Sequence, residues 1–141
     1  MRFKVEVEIA RPPVEVFERL TDVARLPDWQ ESAVGVDIDG PVTAGTRFRE
    51  TRRFVGREFH TEVEVTACES PSRFDVQTVK SPVPLTVRHS LEPVGDVTRL
   101  HVVGDAKPGG MLRLAAGRIA SRAEAEFRRD FERFKELLES T

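Results

Sequence analysis

The chain reads as an α+β fold: one strand, two short helices, six further strands and a long terminal helix. Three observations predict it. Phe3, Val5, Val7 and Ile9 alternate with Arg2, Lys4, Glu6 and Glu8, the period of two of a half-buried strand. Residues 46–65 carry a charge pattern that resolves into opposite-sign pairs only when folded as an antiparallel hairpin. Leu112, Ala115, Ile119, Ala123, Phe127, Phe131, Phe134 and Leu138 recur at spacings of three or four, a helical stripe about seven turns long with Arg and Glu on the other side.

The elements follow in order. Pro12-Pro13 ends the first strand and pre-sets a helix start, after which Val14, Phe17 and then Leu20 face inward at helical spacing. Pro27 marks the next boundary, and Trp29 beside it is a large apolar anchor. Residues 33–39 form a second strand, stopped at Gly40-Pro41.

If Val55-Gly56 is a two-residue turn, Arg53 faces Glu58, Arg49 faces Glu62 and Arg47 faces Glu64 on one side of the hairpin. The other side then pairs Phe48 with Val63, Glu50 with Thr61 and Arg52 with Phe59. A slip of one residue would bury the whole charge ladder, so the register has a physical cause. Val-Gly is a poor turn dipeptide, which leaves a slightly longer loop open. Residues 74–79, 83–92 and 98–105 are the remaining strands, and Pro108-Gly109-Gly110 breaks the sheet pattern before the last helix.

That helix changes character along its length. Ala115, Ala116, Gly117, Ala120 and Ala123 occupy its first half, whereas three Phe and Leu138 occupy the second. Large side chains fill space and small ones leave it, so a cavity is expected beneath residues 111–123.

A chain of 141 residues with 39% hydrophobic content suits one globular domain over residues 1–141, large enough to need no metal or disulfide. The net charge of −2 argues against general affinity for nucleic acid or anionic membrane. The charge-alternating first residues do not read as a signal peptide, and no apolar run approaches the roughly 18 residues of a membrane span. With a single cysteine, Cys68, no internal disulfide forms, and a reducing cytoplasm is the expected compartment.

Few residues carry chemistry. Glu50 and Arg52 lie two apart on the inward face of one strand. Either they anchor a ligand's polar group or act as an acid/base pair, or they form a structural ion pair at the sheet edge. His89, between Val87 and Leu91 on an apolar face, is either a general base or a hydrogen-bonded core histidine. His60 and His101 fall on wet faces. No metal-ligand spacing, nucleophile elbow or phosphate-binding loop is present. Cys68 has no basic neighbour in sequence to activate it and reads as structural. Arg47, Arg49, Arg52, Arg53 and Arg57 resemble a basic patch when read linearly, but the hairpin register sets three of them against Glu.

Ala10-Arg-Pro-Pro-Val-Glu-Val-Phe17, Asp28-Trp29, Gly45-Thr-Arg-Phe-Arg-Glu50, Glu69-Ser-Pro-Ser-Arg-Phe74, Leu91-Glu-Pro and Thr98-Arg-Leu together resemble the START-like (SRPBCC) superfamily, in particular its bacterial polyketide cyclase/dehydrase branch. The resemblance spans the whole chain. It implies a helix-grip fold, in which a curved antiparallel sheet of six or seven strands wraps around the long C-terminal helix with a cavity between them. It also implies binding of a small hydrophobic or aromatic molecule there, without cofactor or metal. The wall would come from Trp29, Phe48, Glu50, Arg52, Phe59, Thr61, Phe74, Val76, Val87, His89, Met111, Ala115 and Ile119. A cofactor-independent cyclase, aromatase or dehydratase using Glu50, Arg52 or His89 is the alternative, and a protein-interaction domain is the third. The chain departs from several branches: it has no Tyr, one Trp and no Rieske cluster motif. Partners other than a small apolar molecule are not implied, nucleic acid and integral membrane association are not expected, and the oligomeric state is left open.

Overall fold

The computed structural model describes residues 1–54, 56–81, 84–107 and 116–141. Its elements are β1 (Arg2–Ile9), α1 (Pro13–Thr21), a 3-10 helix (Val23–Asp28), β2 (Ala33–Asp37), β3 (Arg47–Phe54), β4 (Arg57–Glu69), β5 (Arg73–Lys80), β6 (Leu85–Val94), β7 (Val97–Ala106) and α2 (Ala116–Glu139). Among the described residues the strands form one seven-stranded sheet in the order β1-β7-β6-β5-β4-β3-β2, with antiparallel pairing throughout. Sequential hairpins build most of it. Among the described strands β1–β7 is the one pairing between strands not adjacent in sequence, and the sheet curls as a half-barrel with the terminal helix against it, an α+β helix-grip arrangement.

Local chemistry explains each element. In β1, Phe3, Val5 and Ile9 are buried while Arg2, Lys4, Glu6 and Glu8 are exposed. Pro13 opens α1, where its missing N–H costs no helical bond. The inward face of α1 is Val16, Phe17 and Leu20. Val14, expected inward, is instead 52% exposed. One turn holds about 3.6 residues, so Val16 and Leu20 at a spacing of four share the face that Phe17 joins, and Val14 is carried to the solvent side. Pro27 lies inside the 3-10 helix, and Trp29, just beyond it, is 1% exposed.

The β3–β4 hairpin has the register expected from its charges: Arg47 faces Glu64, Phe48 faces Val63, Glu50 faces Thr61, Arg52 faces Phe59 and Arg53 faces Glu58. Of the turn residues, Gly56 has φ +73, which only glycine adopts freely, and Val55 lies outside the described residues. Two of the expected ion pairs form, Arg47–Glu64 at 3.1 Å and Arg53–Glu58 at 2.9 Å. Arg49 does not pair with Glu62. It reaches the other way to Asp37, 3.0 Å distant, its register partner on the neighbouring β2. An interior strand has two neighbours, and hairpin reasoning considers one. β2 itself ends at Asp37, two residues earlier than expected.

The helix α2 is 24 residues long, about 36 Å. Phe131, Phe134 and Leu138 bury its C-terminal half. Trp29 packs between two of them, its ring centroid 5.0 Å from that of Phe131 and 4.7 Å from that of Phe134. These contacts fill one end of the space between sheet and helix.

Candidate functional site

The other end is not filled. A cavity of about 250 Å³ lies between the inward faces of the strands and α2. Ten of the residues expected in its wall line it: Trp29, Phe48, Glu50, Arg52, Phe59, Thr61, Phe74, Val76, Val87 and His89. Alternation explains the set, since every second residue of β3, β4, β5 and β6 points inward. Met111 and Ala115 lie outside the described residues, and Ile119 falls within α2 but its side chain is outside them.

The expected position of the cavity needs one correction. From α2 the described lining residues are Ala123, Glu126, Phe127, Asp130 and Phe131. The cavity therefore extends past residue 123, under side chains expected to fill the space. Phe127 leans towards the β1 side, its ring 4.7 Å from that of Phe3, and so forms wall instead of plug.

Glu50, Arg52 and His89 meet at this one cavity, and each already has a protein partner. The Arg52 guanidinium donates through Nη2 to the Glu50 carboxylate and through Nη1 to Ser32 Oγ at 2.9 Å. Glu50 is buried, so the guanidinium beside it supplies the countercharge its desolvation demands. His89 Nδ1 stands 2.7 Å from the Phe74 carbonyl oxygen. That oxygen only accepts, so Nδ1 carries the proton and Nε2 is left as an acceptor. Burial holds the imidazole down to about 4, outweighing the Phe74 carbonyl and the charge of Asp75, which both favour its protonated form. His89 is thus a neutral acceptor near pH 7.

Two further ionisable groups, Glu126 and Asp130, reach the cavity from successive turns of α2. Asp130 is 6% exposed, accepts from the Glu31 backbone N–H at 3.2 Å and is paired with Arg133. Burial nevertheless pushes its carboxyl up to about 6, with the Glu31 N–H and the charges of Arg133 and Arg52 opposing and that of Glu126 reinforcing. The Glu126 carboxyl is also raised, by burial first and by Glu31 second, against the opposing charges of Arg52, Arg129 and Arg122. Sequence reasoning missed both. The signal was present: Glu126 and Asp130 directly precede Phe127 and Phe131, which places them on the edge of the apolar stripe. Near the same end, Arg122 lies 5.4 Å above the Phe54 ring, bridging helix and hairpin.

Cys68 has no such role. It is half-buried beside Val42, and burial pushes its thiol up, away from the reactive thiolate. His60 and His101 sit on the outer face, next to Thr51 and Glu92. Among the described residues no cluster of His, Cys, Asp and Glu is placed to hold a metal ion, and no helix is long and apolar enough to cross a membrane.

Residues 1–139 match the family described as polyketide cyclase / dehydrase and lipid transport. The chain belongs to that family. No curated protein sequence matches the chain. Among solved structures, a protein of Thermus thermophilus superposes with a TM-score of 0.86 at 14% identity, covering 99% of this chain and 98% of the other. The Zhui aromatase/cyclase of Streptomyces sp. R1128 superposes with a TM-score of 0.83 at 14% identity, covering 99% and 93%. Ara h 8.0201 superposes with a TM-score of 0.73 at 13% identity, covering 100% and 99%. At these identities the likeness is one of fold.

Proposed function

We propose that this protein binds a small hydrophobic or aromatic molecule in the cavity between sheet and α2. The observation that carries the reading is the cavity itself: about 250 Å³ of space with Phe, Val, Leu and Trp walls and a few polar groups gathered on it. A sequence free to close its core would have filled that volume, because interiors pack to crystal-like density. The volume is a little under the range common for drug-sized ligands, which suits a compact guest. Membership of a family described by cyclase, dehydrase and lipid-transport roles agrees with a pocket-centred function.

Native mass spectrometry of gently purified protein, followed by organic extraction, tests the reading. A co-purifying apolar molecule supports it. Failure to take up any neutral apolar fluorophore, together with an empty native spectrum, refutes it.

One observation favours the enzymatic alternative. Asp130, with a carboxyl raised to about 6, faces the cavity and would hold a proton available near neutral pH. A cyclase- or dehydratase-type step would use it as proton donor and His89 Nε2 as acceptor, in place of the Glu50–Arg52 pair, whose charges satisfy each other. The interaction-domain alternative has less support, since among the described residues the exposed large hydrophobics, Val14, Val34, Val79 and Val94, sit on four separate elements.

A further inference from the structure

We infer that the cavity selects an apolar guest carrying a hydrogen-bond donor, preferring an ammonium group to a hydroxyl and rejecting a carboxylate. The inference rests on the ligand-binding reading and names the chemistry of its guest.

The first support is the charge balance of the wall. Among the described residues three carboxylates line the cavity, Glu50, Glu126 and Asp130, against one guanidinium, Arg52, while the Met1 ammonium is committed to the Ala106 carbonyl oxygen. The guanidinium is already engaged twice, by Glu50 and by Ser32 Oγ. It offers no free fork to a carboxylate guest, and the acids around it would repel one. Asp130 is likewise engaged, by Arg133 and the Glu31 N–H. Glu126 is different: it lines the cavity half-buried, feels Glu31 and Asp130 on one side and the charges of Arg52, Arg129 and Arg122 on the other, and makes no hydrogen bond or ion pair with any described residue. A cation entering the cavity would complete it.

The second support is independent of the acids. His89 is 6% exposed and lines the cavity from the sheet side. Its Nδ1–H is committed to the Phe74 carbonyl, and among the described residues nothing donates to Nε2. Nε2 opens onto the cavity as an acceptor that only a donor can satisfy, and a guest that covers it without donating leaves it unpaired at a cost. Glu126 from the helix and His89 from the sheet thus ask the same thing of a guest.

Titration gives the preference a pH dependence. Asp130 is faced by Arg133 and Glu126 from its own helix, by Glu31 from the segment after the 3-10 helix and by Arg52 from β3. Glu126 is faced by Arg122 and Arg129 from its own helix and by the same Glu31 and Arg52. Asp130 loses its charge on acidification through about 6, and the raised Glu126 follows the same direction. An aliphatic amine stays cationic across that interval.

Three probes of one skeleton test the inference by calorimetric titration of the full chain at about pH 7.5: phenylbutylamine, phenylbutanol and phenylbutyrate. The amine should bind at least about tenfold tighter than the carboxylate, with the alcohol between, as one charge-assisted hydrogen bond implies. Glu126→Gln should weaken the amine about tenfold and the alcohol much less, closing most of the gap between them. Glu126 has no bonded partner to lose, and circular dichroism checks that the variant folds. Lowering the pH to about 5 should weaken the amine several-fold and spare the alcohol. A carboxylate that binds as well as the amine, or uptake of the neutral dye N-phenylnaphthylamine with no preference for the amine, overturns the inference and leaves the pocket reading standing. If neither the dye nor any of the three probes binds, the pocket reading falls and takes this inference with it.

Discussion

Replacing Gly104 with alanine should drive the Phe3 ring into the cavity. Phe3 and Gly104 are direct partners in the β1–β7 register, and the ring lies over the glycine. A Cβ at position 104 would stand 2.3 Å from Phe3 Cε2, 2.6 Å from Cζ and 2.9 Å from Cδ2. Carbon–carbon contact is comfortable from about 3.5 Å, so the ring must retreat by roughly 1 Å or more. Phe127 stands on one flank with its centroid 4.7 Å away, and the space left is the cavity that Phe3 already lines.

Two terms of opposite sign decide the stability change. Overpacking typically costs about 1–3 kcal/mol. Replacing glycine returns about 0.4–1 kcal/mol through the unfolded chain, because the backbone at 104 does not need the left-handed region. Overpacking wins, leaving a net loss of about 1–2 kcal/mol and a Tm drop of roughly 3–8 °C for a chain of this size. Thermal unfolding reads the first effect and uptake of a neutral dye reads the second, which should fall with the lost volume. Adding Phe3→Leu should restore both, with a coupling of at least about 0.5 kcal/mol between the two sites. A Gly104→Ala protein with unchanged Tm and unchanged uptake would refute the idea that this glycine seats the ring beside an empty cavity.

Other expected outcomes are as direct. Ala123→Phe adds a ring to a helix position that lines the cavity, so dye uptake should be lost with Tm nearly unchanged; a large Tm drop would mean the site was already full. Arg52→Ala should destabilise by roughly 2–4 kcal/mol by leaving Glu50 buried and unpaired, whereas the double change Glu50→Met/Arg52→Met should cost less than that single one, as chemical denaturation would show. His89 and Asp130 should tilt the pH–stability curve in opposite senses. The folded-state pKa of His89 is lowered from 6.5 to about 4, so its contribution is present above about 6.5 and is lost as pH falls through 4. That of Asp130 is raised from 3.8 to about 6, so its contribution is present below about 3.8 and is lost as pH rises through 6. Each spans roughly 3 kcal/mol, so the two contributions should nearly cancel between pH 4 and 7, while Asp130→Asn uncovers acid destabilisation and His89→Leu uncovers the opposite slope, with stability rising as pH falls. Parallel curves for all three proteins would contradict both assignments.

The parts of the fold that were legible in the sequence are those where a side-chain period meets a single boundary. The alternation in β1 and the charge ladder of β3–β4 both contrast water with interior, so composition alone sets face and register. The same ladder misassigned Arg49, because sequence shows a strand's hairpin partner and hides its other neighbour: Asp37 is twelve residues from Arg49 in the chain, across an irregular connection. Val14 failed for a related reason, since a nine-residue helix offers too few turns for its apolar arc to be located to one residue. The curl of the sheet was supplied by resemblance and not by periodicity, and the β1–β7 closure, which rests on contacts about a hundred residues apart, was supplied by neither.

The candidate site divides along the same line. The apolar wall was legible because it is the continuation of the strand alternation to the inner face. Glu126 and Asp130 were not, because a charge next to a helical stripe normally marks the wet side, and here the helix edge turns into a hollow instead of solvent. Asp130, 6% exposed, and Glu126, which has no bonded partner among the described residues, both line that hollow. The cost follows from the same geometry: both carboxyls sit in surroundings that resist their charge, and a chain selected for stability alone would place leucine or methionine there. The carboxylates and the His89 Nε2 acceptor on the wall ask a guest for a donor, whereas the buried Trp29 Nε1–H, which has no partner among the described residues, is an inward group of opposite demand.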